Sequence, residues 1–275
     1  GGVPGGGGGG PGRGRAGAAA ETLVLRGPLD RESLRLSVVN LPQAEHRFGW
    51  LADHLGELPG SGIIYTLTKP MAEELAAFLR GQGHPVTAYH GGTEQAERVA
   101  AEEDLLANRV KALVATSALG MGFDKPDLGF VVHVGAPASP IAYYQQIGRA
   151  GRAVDSAEAV LLPAAEDREI WKYFADTSFP PEPVVREVLG ALAEAGRPMS
   201  TQALLAAVNL GHSRLEQMLK VLDTDGAVRR VKGGWEATGQ PWVYDAERYA
   251  RVAAARAREQ QAMLDYIATT GCREK

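Results

Sequence analysis

Residues 113–133, LVATSALGMGFDKPDLGFVVH, and residues 142–152, AYYQQIGRAGR, carry the strongest pattern in the chain. The first string opens on an apolar run ending at Ala115 and closes on another over residues 129–134. Short runs of this kind are strands buried on both faces of a sheet. Between them, Gly120 and Gly122 permit tight backbone turns near a ligand, and Lys125-Pro126 ends the loop that holds Asp124. The second string reads as a helix over residues 141–147 that runs into Gly148-Arg149-Ala150-Gly151-Arg152. Gln145, Arg149 and Arg152 are spaced i, i+4 and i+7, which aims them to one side. Guanidinium groups stay charged and fork over phosphate oxygens, so this pair suits the neutralisation of charge in phosphoryl transfer. A salt bridge to a surface carboxylate is the alternative use of the same side chains.

Working outward, further strands are expected at residues 22–25, 34–39, 62–67, 86–89, 112–115, 129–134 and 158–162, with helices at 44–55, 71–80, 93–107 and 141–147. Strands alternating with helices predict a mostly parallel α/β sheet covered on both faces. Ligands of such sheets meet the loops at the carboxyl ends of the strands, which is where these motifs are expected to fall. Pro180-Pro181 and Pro183 mark a boundary. Beyond it, Val184, Val185, Val188, Leu189 and Leu192 form one helical stripe, and helices follow at 201–208, with Ser200 as N-cap, and at 212–224. Short strands at 227–231 and 235–238 are joined by Lys232-Gly233-Gly234. Three helices and a glycine-tipped hairpin make a winged helix. Residues 246–268 then read as one long helix of roughly 35 Å.

The winged unit concentrates cations. His212, Ser213 and Arg214 open its third helix, Lys220 follows, Arg229, Arg230 and Lys232 line the wing, and Trp235 stands beside them as a stacking face. A duplex-binding or strand-separating surface is the reading preferred here, and a protein-docking domain with a solvated basic face is the other. The 275 residues carry a net charge of −4, so a nucleic-acid partner must be met by a local basic surface. A single cysteine, Cys272, leaves no intrachain disulfide and no thiolate zinc cage. No run is long and apolar enough to span a bilayer, and residues 1–20, nearly all Gly, Ala, Pro and Arg, are expected to be a disordered tail.

From about Gly62 to Phe174 the quoted strings resemble motifs IV, V and VI of the RecQ family of superfamily 2 DNA helicases. That resemblance implies a RecA-like second motor lobe and an ATP-dependent enzyme translocating 3′ to 5′ on DNA at single-strand/duplex junctions. It implies that Arg152 is an arginine finger with Arg149 its companion, and that Gly122, Asp124 and Gln145 face nucleotide held mainly on another lobe, with Mg2+. A turn or capping role is the rival for Asp124. Thr66, Lys69, His90, Thr116 and Ser117 match positions along the nucleic-acid backbone, with helix capping as the rival for each. His133, in an apolar strand, reads as a hydrogen-bonded core histidine, and Tyr143-Tyr144 as packing.

Two departures accompany the match. No GxxxxGK[ST] loop and no DExH box occur, so the first lobe's phosphate cradle is missing and the chain alone is not expected to turn over ATP. A winged-helix-like unit also comes where a cysteine-rich zinc module is usual, an order similar to actinobacterial RecQ-like helicases. The expected domains are thus a tail at 1–20, a remnant of the first lobe and its connection at 21–59, the second lobe at 60–180, the winged helix at 181–245, and a truncated entrance to the zinc module at 246–275. Zn2+ is implied only for an intact relative, with Cys272 otherwise a free thiol. The implied location is cytoplasmic, at the nucleoid. Two other readings stand beside the helicase: a catalytically inactive DNA-binding module, and an RNA-directed relative.

Overall fold

Six strands line up in the order β1-β6-β5-β2-β4-β3, every neighbouring pair parallel, in a computed structural model that describes residues 33–271 except 42, 44, 121, 177 and 178. The tail, the strand expected at 22–25 and Cys272 lie outside the described residues. The strands are β1 (Leu34–Val38), β2 (Gly62–Thr66), β3 (Val86–Tyr89), β4 (Ala112–Ala115), β5 (Phe130–Val134) and β6 (Ala157–Leu162). The central three, β2, β4 and β5, are buried at every position, as their unbroken apolar runs require. Glycine at 62 matters for this register: a Cβ there would stand 2.3 Å from the Phe130 ring on the neighbouring strand.

Alternate side chains supply two cores. Ile64, Val114, Val132 and Val160 meet α1 (Glu45–His54) and α2 (Lys69–Gly81). Ile63, Leu113, Val131 and Ala159 meet α3 (Gln95–Leu106) and α4 (Pro140–Ile147) on the opposite face. The β4–β5 crossover, residues 116–129, has no helix, and Leu119, Phe123 and Leu128 from that loop do the covering instead.

Two expectations change. Residues 34–54 fall within the expected connection between lobes, but β1 pairs with β6 along its whole length and α1 packs on α2. The parallel sheet therefore takes in residues 34–38, with α1 on its face, ahead of residue 60. A further helix, α5 (Asp167–Asp176), is not expected from the sequence; its Trp171 is buried while Tyr173 and Phe174 are exposed. Asp167 Oδ2 accepts from the backbone N–H of Ala136 (2.8 Å) and Ala164 (2.9 Å), and Trp171 Nε1 donates to Ala136 O (2.7 Å). These bonds fix α5 against the chain leaving β5. Arg47 of α1, only 2% exposed, donates to Glu166 Oε1 beside it.

Beyond the prolines, α6 (Glu182–Ala195), α7 (Thr201–Ala207) and α8 (His212–Thr224) enclose a third core with the antiparallel pair β7 (Val228–Val231) and β8 (Gly234–Ala237). Ser200 caps α7 through Ala203 N–H, as expected. Met199 exchanges two 2.8 Å backbone bonds with Trp235, which ties the α6–α7 link to the hairpin. Finally α9 (Ala246–Ala268) returns to the parallel sheet: Met263 is fully buried there, and Leu264, Tyr266 and Ile267 pack beside it. No helix among the described residues is long and apolar enough to cross a membrane.

Met263→Ala is expected to cost about 2–5 kcal/mol of local packing. Amide exchange should speed up in the last turns of α9 and stay unchanged in α6–α8; an unaffected α9 would mean that Met263 does not hold it.

Candidate functional site

The Gly148–Arg152 turn sits where α4 stops. Ser139 caps the start of α4, and Gly148 ends it, so Arg149 and Arg152 lie beyond the helix and are not aimed by helical spacing from Gln145, which stays exposed on α4. Gly151 takes φ +73°, and a Cβ there would meet the Ser33 hydroxyl at 3.1 Å. Gly151 N–H donates to Leu128 O (3.1 Å), Ala153 N–H to Pro126 O (2.9 Å), and Ser33 Oγ to Gly151 O (2.8 Å). The turn is thereby tied to segments entering β5 and β1. It lies at the amino ends of the strands, not at the carboxyl ends where the sequence placed it.

The two arginines have different environments. Arg149, half-buried, donates to three carbonyls of the helix-less crossover: Phe123 O (2.9 Å), Gly120 O (3.0 Å) and Leu119 O (3.4 Å). Arg152 is 44% exposed, and its Nη1 donates to Asp124 Oδ1 (2.8 Å), itself 58% exposed. An exposed pair of this kind contributes at most about 1 kcal/mol, so its partners exchange readily. Asp124 is thus a carboxylate partner rather than a helix cap. Gly122 is exposed, with nothing within 4 Å of an added Cβ. Lys125, by contrast, is buried and pairs with Asp127 (2.7 Å), whose carboxyl it holds below the usual range.

At the opposite edge, Thr66, His90 and Thr116 stand at or just beyond the carboxyl ends of adjacent strands β2, β3 and β4. All three are buried and engaged locally. Thr66 Oγ1 donates to Thr68 O (3.2 Å), and Thr116 Oγ1 accepts from Ala118 N–H (3.4 Å). His90 Nδ1 accepts from Gly92 N–H (3.0 Å), which leaves the proton on Nε2 to be donated to Glu73 Oε1 (2.6 Å). Lys69 and Ser117 are the exposed members of the group, and the Lys69 ammonium lies 3.8 Å from where a Gly92 Cβ would stand.

His133 is a core histidine, 1% exposed, stacked on Tyr65 at 5.2 Å and bonded through Nε2 to Gln146 Oε1 (2.7 Å). Burial lowers its pKa to about 4, against a smaller opposing influence from Gln146. Tyr143 packs against it while Tyr144 is exposed, so only the first of the tyrosine pair is core.

In the hairpin unit, Trp235 is 6% exposed and belongs to the core, covered by Arg230 at 5.7 Å from the ring centre. It is not the stacking face the sequence suggested; the alternation of β8 turns it inward. Arg229 is already paired with Glu236. His212 and Lys232 are exposed and Arg214 is half-buried. Among the described residues no group of three or more His, Cys, Asp or Glu is placed to hold a metal ion.

Because the native pKa of His133 lies below the unfolded value of about 6.5, the unfolded chain binds the extra proton between those values. Stability is full above about pH 7 and falls toward pH 4, by about 3 kcal/mol from this group. Urea unfolding across that range should steepen less in His133→Gln; identical slopes would remove His133 as the cause.

Residues 47–154 match the family of the helicase conserved C-terminal domain. The ATP-dependent DNA helicase RecQ of Synechocystis is 38% identical over 132 residues, covering 46% of this chain and 27% of the relative. The probable ATP-dependent DNA helicase RecS of Bacillus subtilis is 32% identical over 143 residues, 52% of this chain and 29% of the relative. RecQ of Pasteurella multocida is 38% identical over 136 residues, 50% of this chain and 21% of the relative. The chain thus spans less than a third of the length of these relatives. Among solved structures, the DEAD-box protein SrmB of E. coli aligns with a TM-score of 0.46 at 28% identity, over 52% of this chain and 84% of that one. The stretch at residues 47–154, which holds most of the parallel sheet, the crossover and the GRAGR turn, is thus similar to the helicase conserved C-terminal domain, and the three relatives named are DNA helicases of the RecQ and RecS kind.

Proposed function

We propose that this chain supplies the closing half of an ATP-dependent DNA helicase. The observation that carries this is the exposed Arg152–Asp124 pair, held beside a crossover that Arg149 braces. Arg152 has a weak partner and stands at an open surface, which is what an arginine finger needs before nucleotide arrives. When an opposing lobe presents phosphate, Arg152 exchanges one anion for another, and Asp124 is released to accept from a sugar hydroxyl. Arg149 acts as a positioning residue, since its donors are spent on backbone carbonyls. ATP with Mg2+, held mainly by the opposing lobe, supplies the hydrolysable phosphate whose developing charge Arg152 would neutralise.

DNA is gripped along the carboxyl edge. Lys69 and Ser117 meet phosphates there, while Thr66, His90 and Thr116 shape the loops that present them. Such contacts are largely independent of sequence and sensitive to salt. The three-helix-and-hairpin unit acts as a winged helix at the junction, with His212, Arg214, Arg230 and Lys232 toward the duplex. Movement from 3′ to 5′, a place at the nucleoid and the domain limits 34–180, 181–245 and 246–275 belong to the same reading. Zinc has no supporting residues among those described.

In an assembly with a first lobe supplied in cis or in trans, Arg152→Ala should lower DNA-stimulated hydrolysis at least a hundredfold with ATP binding nearly intact. Arg149→Ala should in addition loosen the crossover, read as faster amide exchange over residues 116–129. Wild-type turnover in Arg152→Ala removes it from the mechanism; DNA binding without hydrolysis in the wild-type assembly makes the chain a binding module instead. Separately, Arg230→Ala with Lys232→Ala should weaken duplex binding and flatten its salt dependence. Arg229→Ala should do less, because Glu236 already neutralises that side chain. Unchanged affinity in the double variant would turn the wing toward protein or solvent.

A further inference from the structure

A hollow of about 890 Å³ lies beneath α9, with α5 as its floor. The long helix is fastened at its two ends. Tyr249 stacks on Phe179 with ring centres 4.4 Å apart, and Met263 is buried in the parallel-sheet core. Between those points, residues 250–259 are exposed except for a half-buried Ala255. A helix face that packs on protein carries large apolar residues at i, i+3, i+4 and i+7. The overhanging positions of α9 follow that spacing with one large apolar side chain, Val252, and otherwise hold Ala253, Arg256, Ala257, Gln260 and Gln261. The facing stripe of α5 holds Arg168, Glu169 and Lys172 between two alanines. Apart from Val252 and the buried Trp171, both stripes hold short or polar side chains along this stretch, and the gap between the helices stays open.

Its charge is the second observation. Arg168, Lys172 and Arg256 form no ion pair among the described residues, against Glu169 as the one acidic side chain lining the hollow. Three unpaired cations converging on a concave surface repel one another, and their field is focused by the protein walls. They do so in a chain of net charge −4. A polyanion relieves that repulsion. An adjoining hollow of about 410 Å³ shares Trp171, Ala175, Arg256 and Gln260, and reaches Thr66 and Ser117 at the carboxyl edge. The trough is therefore continuous with the edge where DNA phosphates are placed above.

We propose that a single nucleic-acid strand passes from Ser117 beneath α9, its phosphates set against Arg256, Lys172 and Arg168, and emerges on the side of the winged unit. This rests on the DNA-binding reading and adds a route to it. A slot between two helices admits one strand and excludes a duplex, so the trough separates a strand already freed from one still paired.

The test uses the full chain, a fluorescent 20-nucleotide thymidine oligonucleotide and anisotropy titrations from low to moderate salt. The variant Arg168→Gln/Lys172→Gln/Arg256→Gln should bind about tenfold more weakly, with a salt slope shallower by about 2, since every single-strand phosphate left without its cation lowers the slope by about 0.7. Ala257→Trp, which obstructs the trough and keeps every charge, should weaken binding as well; because residue 257 is exposed, an unchanged melting temperature certifies its fold. Wild-type affinity and slope in both variants, with Lys69→Gln weakened, overturn the route and leave DNA binding at the edge standing. No binding by the wild-type chain overturns both. Displacement of the oligonucleotide by poly-glutamate at equal charge concentration assigns the trough to acidic peptide and overturns the proposal.

Discussion

The lobe depends on one guanidinium. Every other parallel crossover within the five-strand run from β2 to β6 contains a helix, whose apolar stripe covers the sheet. The link from β4 to β5 has none, and a loop over a sheet face leaves carbonyls with no donor from a ladder or a helix. Arg149 answers for three of these at once, with the planar fork that lysine lacks. In doing so it sets the path of the segment that carries Gly122 and Asp124, and with it the place where Arg152 finds its partner. The two arginines of one short turn thereby divide the labour, one holding the frame and the other left free to change partners.

Much of this is legible in the sequence because burial is written as periodicity. The unbroken apolar runs of β2, β4 and β5 could belong only to central parallel strands, and the span of α9 can be read to the residue. What escapes is information carried by partners. Leu34, Leu36 and Val38 alternate as an edge strand does, but nothing local says which strand they join. Trp235 beside a cluster of cations looks like a stacking platform until the register of β7 and β8 turns it inward. The spacing of Gln145, Arg149 and Arg152 suggests a helical face, yet the glycine at 148 ends the helix first. For α5 the missing cue is Asp167, whose carboxylate joins two backbone donors, one 3 residues away and the other 31; no short window of sequence contains both.

A ladder of rings joins the sheet to the returning helix. Tyr65 on β2 stacks on His133 of β5, which meets Tyr143 of α4, which meets Tyr266 of α9 at 5.3 Å. Burial drives the Tyr65 phenol up to about 12 and the His133 imidazole down to about 4, so both stay neutral over the range in which a cell works. Neutral rings can be packed without counter-ions, and the carboxyl end of the sheet thereby gains a firm seat for α9 without adding charge close to Thr66 and Ser117.

The stack of Phe179 on Tyr249 has a consequence for ancestry. Phe179 lies at the entry to the three-helix unit and Tyr249 just past its exit, and their rings lie 4.4 Å apart. A segment whose two ends meet at one point can be spliced into a host, or taken out of it, without displacing what lies on either side. The parallel-sheet unit and the three-helix unit can for that reason be parted or joined at this one point, each keeping its own interior.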